Sequence, residues 1–174
     1  MRQWYNAAMQ QAPKGLTLIE SLIIGGVFAV LLFATGIAVS AARERVRDYK
    51  RISDITRIQA ALELYFNEHN EYPKTSDGRI ALGAEGSRCL STAGLQPSCA
   101  ATGRVYLNPV PSQTDIGLKG SDLPVYAYES DGEDYAIAFI IERAVPQVTL
   151  SEGLVCAYPG EPIQAARGNG CPLR

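Results

Sequence analysis

The sequence predicts an α+β protein. One long N-terminal α-helix runs from about residue 16 to about residue 68, its second half packs on a small antiparallel β-sheet, and a C-terminal disulfide loop follows. Three observations point there. From Leu16 to Ala42, 27 residues carry a single charge, Glu20. Apolar residues then recur at helical spacing as far as Phe66. Near the C-terminal end, runs rich in aromatic and β-branched residues alternate with turn residues. Of 174 residues 47% are apolar, and 31 of the 132 from Arg43 onward are charged, which excludes a collagen-like, low-complexity or disordered chain. The apolar run exceeds the roughly 20 residues needed to cross a bilayer. No second such run exists, so a polytopic membrane protein is excluded.

Residues 1–15 are polar and carry only positive charge, Arg2 and Lys14. A secretory signal peptide places its apolar core before a small-residue cleavage site. Here the apolar run follows Gly15 instead, and has a carboxylate within its first turns. A charge near a bilayer centre costs roughly 2.5–3.5 kcal/mol on insertion scales, less near the end of a span, so Glu20 needs a reason.

The stretch Gly15-Leu16-Thr17-Leu18-Ile19-Glu20-Ser21, preceded by Lys14, resembles the processing motif of type IV prepilins and of the pseudopilins of type II secretion. The resemblance implies a pilin-like fold and a cleaved leader, 1–15. It implies a prepilin peptidase that cuts between Gly15 and Leu16 and methylates the new N-terminus at Leu16. Glu20 then takes the family's fifth mature position and a role in subunit assembly, its carboxylate neutralising the terminal amine of a neighbouring copy. An unpaired ion in apolar surroundings is costly, so such a pairing favours one packing register. Two positions depart from the family pattern: Leu16 stands where Phe or Met is commoner, and Ile37 where many members carry proline. Loss of Arg2 and Lys14 with the leader would leave 14 basic against 18 acidic side chains, a net −4 instead of −2. Either value argues against nucleic acid as the main partner.

No glycine or proline interrupts the chain between Ile37 and Tyr72. The apolar segment 16–42 therefore continues into an amphipathic half, 43–72, whose stripe reads Val46, Tyr49, Ile52, Ile55, Ile58, Leu62, Tyr65 and Phe66. The whole helix would be about 80 Å long. Five basic residues between Arg43 and Arg51 read either as a solvated, headgroup-adjacent face or as partners for acidic residues of neighbouring copies. The positive-inside rule would put them in the cytoplasm. The processing motif puts them outside, and is given precedence because Glu44 and Asp48 partly offset the cluster. The pattern Ala61-Leu62, Tyr65, Asn70, Tyr72-Pro73 is similar to the helix end of major pseudopilins and many pilins. Physically, Pro73 disfavours helix at Tyr72 and ends the element there.

The head, 73–174, divides into a loop region, 73–123, and a sheet with a C-terminal loop, 124–174. A short helix is expected near Ala81–Ala84. Val125–Glu129 leads through Ser130-Asp131-Gly132 into Tyr135–Glu142, with Tyr135, Ile137, Phe139 and Ile141 on the face toward the helix stripe. Gly153–Tyr158 is a weaker third strand, giving three or four in all. Cys89, Cys99, Cys156 and Cys171 form no C-x-x-C pair and permit three disulfide pairings. Closing the shortest loops suggests Cys89–Cys99 and Cys156–Cys171, with four reduced thiols as the alternative. Disulfides would place this region outside the cytoplasm.

No nucleophile, phosphate-loop or zinc-hydrolase motif is present and His69 is the sole histidine, so the chain reads as no enzyme with no cofactor. Asp131, Glu133 and Asp134 are weak calcium candidates whose spacing departs from an EF-hand, and no other metal site is expected. The expected function is a structural subunit of a type IV pilus-like filament, polymerised through its N-terminal helix. The alternatives are a major pseudopilin of a type II secretion system and a single-span membrane protein with an extracytoplasmic binding head. The resemblance implies as partners the chain itself, the prepilin peptidase, an inner-membrane assembly platform, minor pilins and the membrane. The precursor would sit in the inner membrane, and the assembled form in an extracellular pilus or a periplasm-spanning fibre.

Overall fold

A computed structural model describes residues 17–76, 78–99, 103–112, 126–166, 168 and 170–173. Helix α1 spans Leu18–His69 without a break. Among the described residues eight short strands follow: β1 (Ile80–Ala81), β2 (Cys89–Ser91), β3 (Gly94–Gln96), β4 (Val105–Leu107), β5 (Ala127–Ser130), β6 (Tyr135–Ile141), β7 (Gly153–Ala157) and β8 (Gln164–Ala165). The main sheet is antiparallel with order β1-β5-β6-β7-β8, and a second sheet has order β3-β2-β4. The chain divides into two compact units, 1–42 and 43–174.

In the second unit, α1 from Arg43 onward packs on the sheet. Ile55, Ile58, Ala61, Leu62 and Tyr65 are buried against Tyr126, Tyr128, Tyr135, Ile137, Phe139 and Ile141. The period-two alternation of β6 therefore faces the helix as its sequence implies. Register is set by Tyr128 opposite Ile137 and Phe139 opposite Val155. The other face of the sheet presents the small residues Ala127, Ala136, Ala138 and Cys156, covered by Cys171 and Leu173 of the C-terminal segment. Cys156 is bonded to Cys171 and Cys89 to Cys99.

Several expectations change. Val46 and Tyr49 are not core residues: they are 68% and 46% exposed. Each step of three residues falls about 60° short of a full turn, so the spacing 46, 49, 52, 55 winds Val46 to the side opposite Ile55. The buried seam runs instead through Asp48, Arg51, Ile55, Ile58, Leu62 and Tyr65. The helix ends at His69, within a residue of the expected end near 68, because Asn70 adopts a left-handed conformation (φ 54°) and donates its N–H to the Phe66 carbonyl. No helix forms at 81–84. Gly83 turns the chain with φ 70°, and a Cβ there would lie 2.7 Å from the Pro111 carbonyl oxygen, so the close approach requires glycine. The Ser87 hydroxyl donates to the Ala81 carbonyl and closes that turn. Much of the expected loop region is ordered as β1 to β4, and the main sheet has five strands. Of the strand expected at Val125–Glu129, Val125 lies outside the described residues and β5 begins at Ala127.

Candidate functional site

The apolar part of α1 is defined by what it lacks. Across Leu18–Gly36, 19 residues long and apolar enough to cross a membrane, no side chain is buried within the chain. Leu18, Leu22, Phe28, Leu32 and Phe33 are each more than half exposed. A Cβ added at Gly25, Gly26 or Gly36 would meet no atom within 4 Å, so no packing inside the chain calls for glycine at these positions. The hydroxyls of this stretch turn inward: Ser21 donates to the Leu18 carbonyl and Thr35 to the Leu31 carbonyl. That arrangement removes their need for water.

Glu20 closes the start of the helix. The Thr17 backbone N–H donates to Glu20 Oε2 at 2.9 Å, and the Glu20 N–H donates to Thr17 Oγ1 at 3.3 Å. This reciprocal pair is a capping box, with Thr17 as the cap and Glu20 three residues on. Sequence reasoning missed it, although the T-x-x-E spacing was there to be read. Gly15 and Leu16 lie outside the described residues.

A second charged constellation lies in the head. The Asp48 carboxylate is fully buried and accepts three donors: Arg51 Nη1 at 2.8 Å, the Glu142 N–H at 3.0 Å and the Arg143 N–H at 2.9 Å. Arg51, 5% exposed, also pairs with Glu142, and Arg47 donates Nε to the same carboxylate at 3.0 Å. Arg143 Nε pairs with Glu44 at 2.8 Å. Hydrogen bonds from Arg47, and after them from Arg51, hold the Glu142 carboxyl below its ordinary pKa against the opposing effect of burial. The basic cluster 43–51 is thus divided. Arg47 and Arg51 bind α1 to the end of β6, while Arg43, Arg45 and Lys50 are exposed and have no ion pair among the described residues.

The calcium candidates lie at the β5–β6 turn. Asp131 Oδ1 accepts the N–H groups of Glu133 and Asp134, each at 2.9 Å, and Asp134 Oδ1 accepts the Tyr135 N–H. Those backbone bonds hold the Asp131 carboxyl below its ordinary pKa. Among the described residues no group of three or more His, Cys, Asp or Glu side chains is arranged to hold a metal ion. His69 stacks on Tyr65 with ring centroids 4.1 Å apart.

Part of the chain is similar to proteins of type II secretion. It is 30% identical over 69 residues to type II secretion system core protein G of Pectobacterium carotovorum subsp. carotovorum, covering 40% of this chain and 44% of that one. It is 27% identical over 73 residues to the protein of the same name from Aeromonas hydrophila, covering 42% and 51%. With that of Dickeya chrysanthemi it shares 27% over 74 residues, covering 42% and 48%. The chain thus spans about half the length of the curated relatives it matches. No protein-family model matches it, and no solved structure does.

Proposed function

We propose that this chain is a filament subunit of the pseudopilin kind, serving a type II secretion system, with a structural rather than a catalytic role. Its similarity to three core protein G chains favours that reading over the pilus. The observation that carries assembly is the apolar helix Leu18–Gly36, which buries none of its side chains within the chain. Such a surface must be covered, first by lipid and then by other copies of itself. On this reading the leader 1–15 is removed between Gly15 and Leu16, the new terminus is methylated, and Glu20 pairs with the amine of a neighbouring copy. The precursor waits in the inner membrane and assembles on a platform there.

A pilus is the second reading, favoured by the C-terminal segment that Cys156–Cys171 ties over the outer face of the sheet. Deletion of the gene in its native host separates the two. The secretion reading expects exported proteins to accumulate in the periplasm while surface pili remain. Normal secretion with loss of pili would overturn it in favour of the second.

A further inference from the structure

One of the three basic residues of the cluster that have no ion pair among the described residues, Arg45, lines a cavity. Arg45, Tyr49, Arg143, Val145, Pro146 and Gln147 enclose about 190 Å³ beside the buried Asp48. The acid of that wall is already engaged, because both Asp48 oxygens accept donors from Arg51, Glu142 and Arg143. Arg45 is the opposite case: an exposed guanidinium with no carboxylate partner among the described residues. Arg143 is held at the wall by Glu44. Tyr49 and Gln147 add a phenol and an amide, both neutral donors. Counting the lining residues together with the ion pairs that adjoin them, the guanidiniums of Arg45, Arg47, Arg51 and Arg143 stand against the carboxylates of Glu44, Asp48 and Glu142, an excess of one positive charge. Arg43 and Lys50 on the same stretch raise it to three.

We propose that this cavity binds a phosphate ester, with Arg45 as its principal ligand and Arg143, Tyr49 and Gln147 completing the donor set. Guanidinium matches phosphate because its planar fork presents parallel N–H donors to two oxygens. The sequence supplies a source. Arg45 lies nine residues past the apolar stretch that ends at Gly36, the place in a chain where basic side chains meet anionic headgroups. A free phosphate would satisfy the same donors. The inference goes beyond filament assembly and does not depend on it.

The test uses the full chain in a neutral detergent and reads its thermal unfolding. The probes are short-chain phosphatidylglycerol, inorganic phosphate, and a diacylglycerol of equal chain length that lacks phosphate. At about ten times the dissociation constant, a bound ligand raises Tm by about 3–5 °C for a chain of this size. A rise with phosphatidylglycerol alone assigns the site to lipid headgroups, and a rise with inorganic phosphate as well assigns it to phosphate in general. In both cases Arg45→Ala abolishes the rise and Arg45→Lys keeps part of it. Arg45 is exposed and unpaired, so neither variant disturbs the fold. No rise with either phosphate probe, an equal rise with diacylglycerol, or a rise that survives Arg45→Ala would overturn the proposal.

Discussion

Asp48 and Arg51 occupy seam positions that the apolar residues Ile55, Ile58 and Leu62 continue. The periodicity that locates an amphipathic helix counts apolar residues, so a seam that turns ionic for its first two turns is invisible to it. The reading of the basic cluster as wholly solvated, or wholly reserved for neighbouring copies, failed for the same reason: a charged residue's partner is set by tertiary packing. The buried pair has a measurable signature. Asp48→Ala leaves Arg51 with Glu142 as its remaining carboxylate and takes the acceptor from the Glu142 and Arg143 N–H groups, and should cost about 3–5 kcal/mol in a chemical denaturation experiment. Glu142 supplies a pH dependence. Its pKa in the folded protein is lower than in the unfolded chain. Its stabilisation is therefore present above the unfolded value, about 4.3, and is lost as pH falls below it. Glu142→Gln should flatten the acid limb of a stability–pH curve; an unchanged limb would remove Glu142 from the account. Glu20 poses the sharpest question at this scale, because a capping box and an intermolecular ion pair make different demands. Glu20→Gln keeps an oxygen that can accept the Thr17 N–H but removes the charge. If charge pairing drives assembly, both Glu20→Ala and Glu20→Gln should be processed normally and lose filament yield. Full yield from Glu20→Gln would assign the residue to the cap alone.

Among the elements, α1 and β6 were the most legible. The long apolar run and the alternation Tyr135, Ile137, Phe139, Ile141 both persist over enough residues to declare their period. Strands β1 to β4 were not legible. At two or three residues each they are too short to show a period of two, and turn residues flank them. That region is ordered by a β2–β3 hairpin turning through two residues, by the bond from Cys89 to Cys99, and by the longer-range pairing of β2 with β4. The end of α1 near 68 is legible too, although what closes it is the positive φ of Asn70, three residues before Pro73. In β6, Phe139 is 1% exposed and sits between α1 and β7, so Phe139→Ala should cost about 3–5 kcal/mol by calorimetry or denaturant titration. The C-terminal segment is the element most dependent on its crosslink. Cys156 and Cys171 are 15 residues apart, a loop whose closure contributes about 3 kcal/mol. Cys156→Ser with Cys171→Ser should lower stability by about that amount and open residues 166–173 to limited proteolysis.

For the whole molecule, fold and function were not equally readable. The chain has a folded unit, 43–174, with a buried core, and an apolar helical stretch in 1–42 that buries none of its side chains within the chain. Hydropathy alone revealed that contrast, since a 27-residue run with one charge is longer and more uniformly apolar than a helix buried on one face needs to be. Choosing between a pilus and a secretion fibre was beyond hydropathy, because both tasks ask the same physics of the subunit: storage in lipid, then burial in a polymer. The similarity to core protein G chains, not a residue of the site, tips that choice. On the proposed function, the apolar helix begins the mature protein and enters a polymer. Mass spectrometry and N-terminal sequencing of purified filaments test it most directly. Subunits beginning at a methylated Leu16 are expected. Filaments whose subunits retain residues N-terminal to Leu16, or a chain that keeps them and forms no filament, would contradict it.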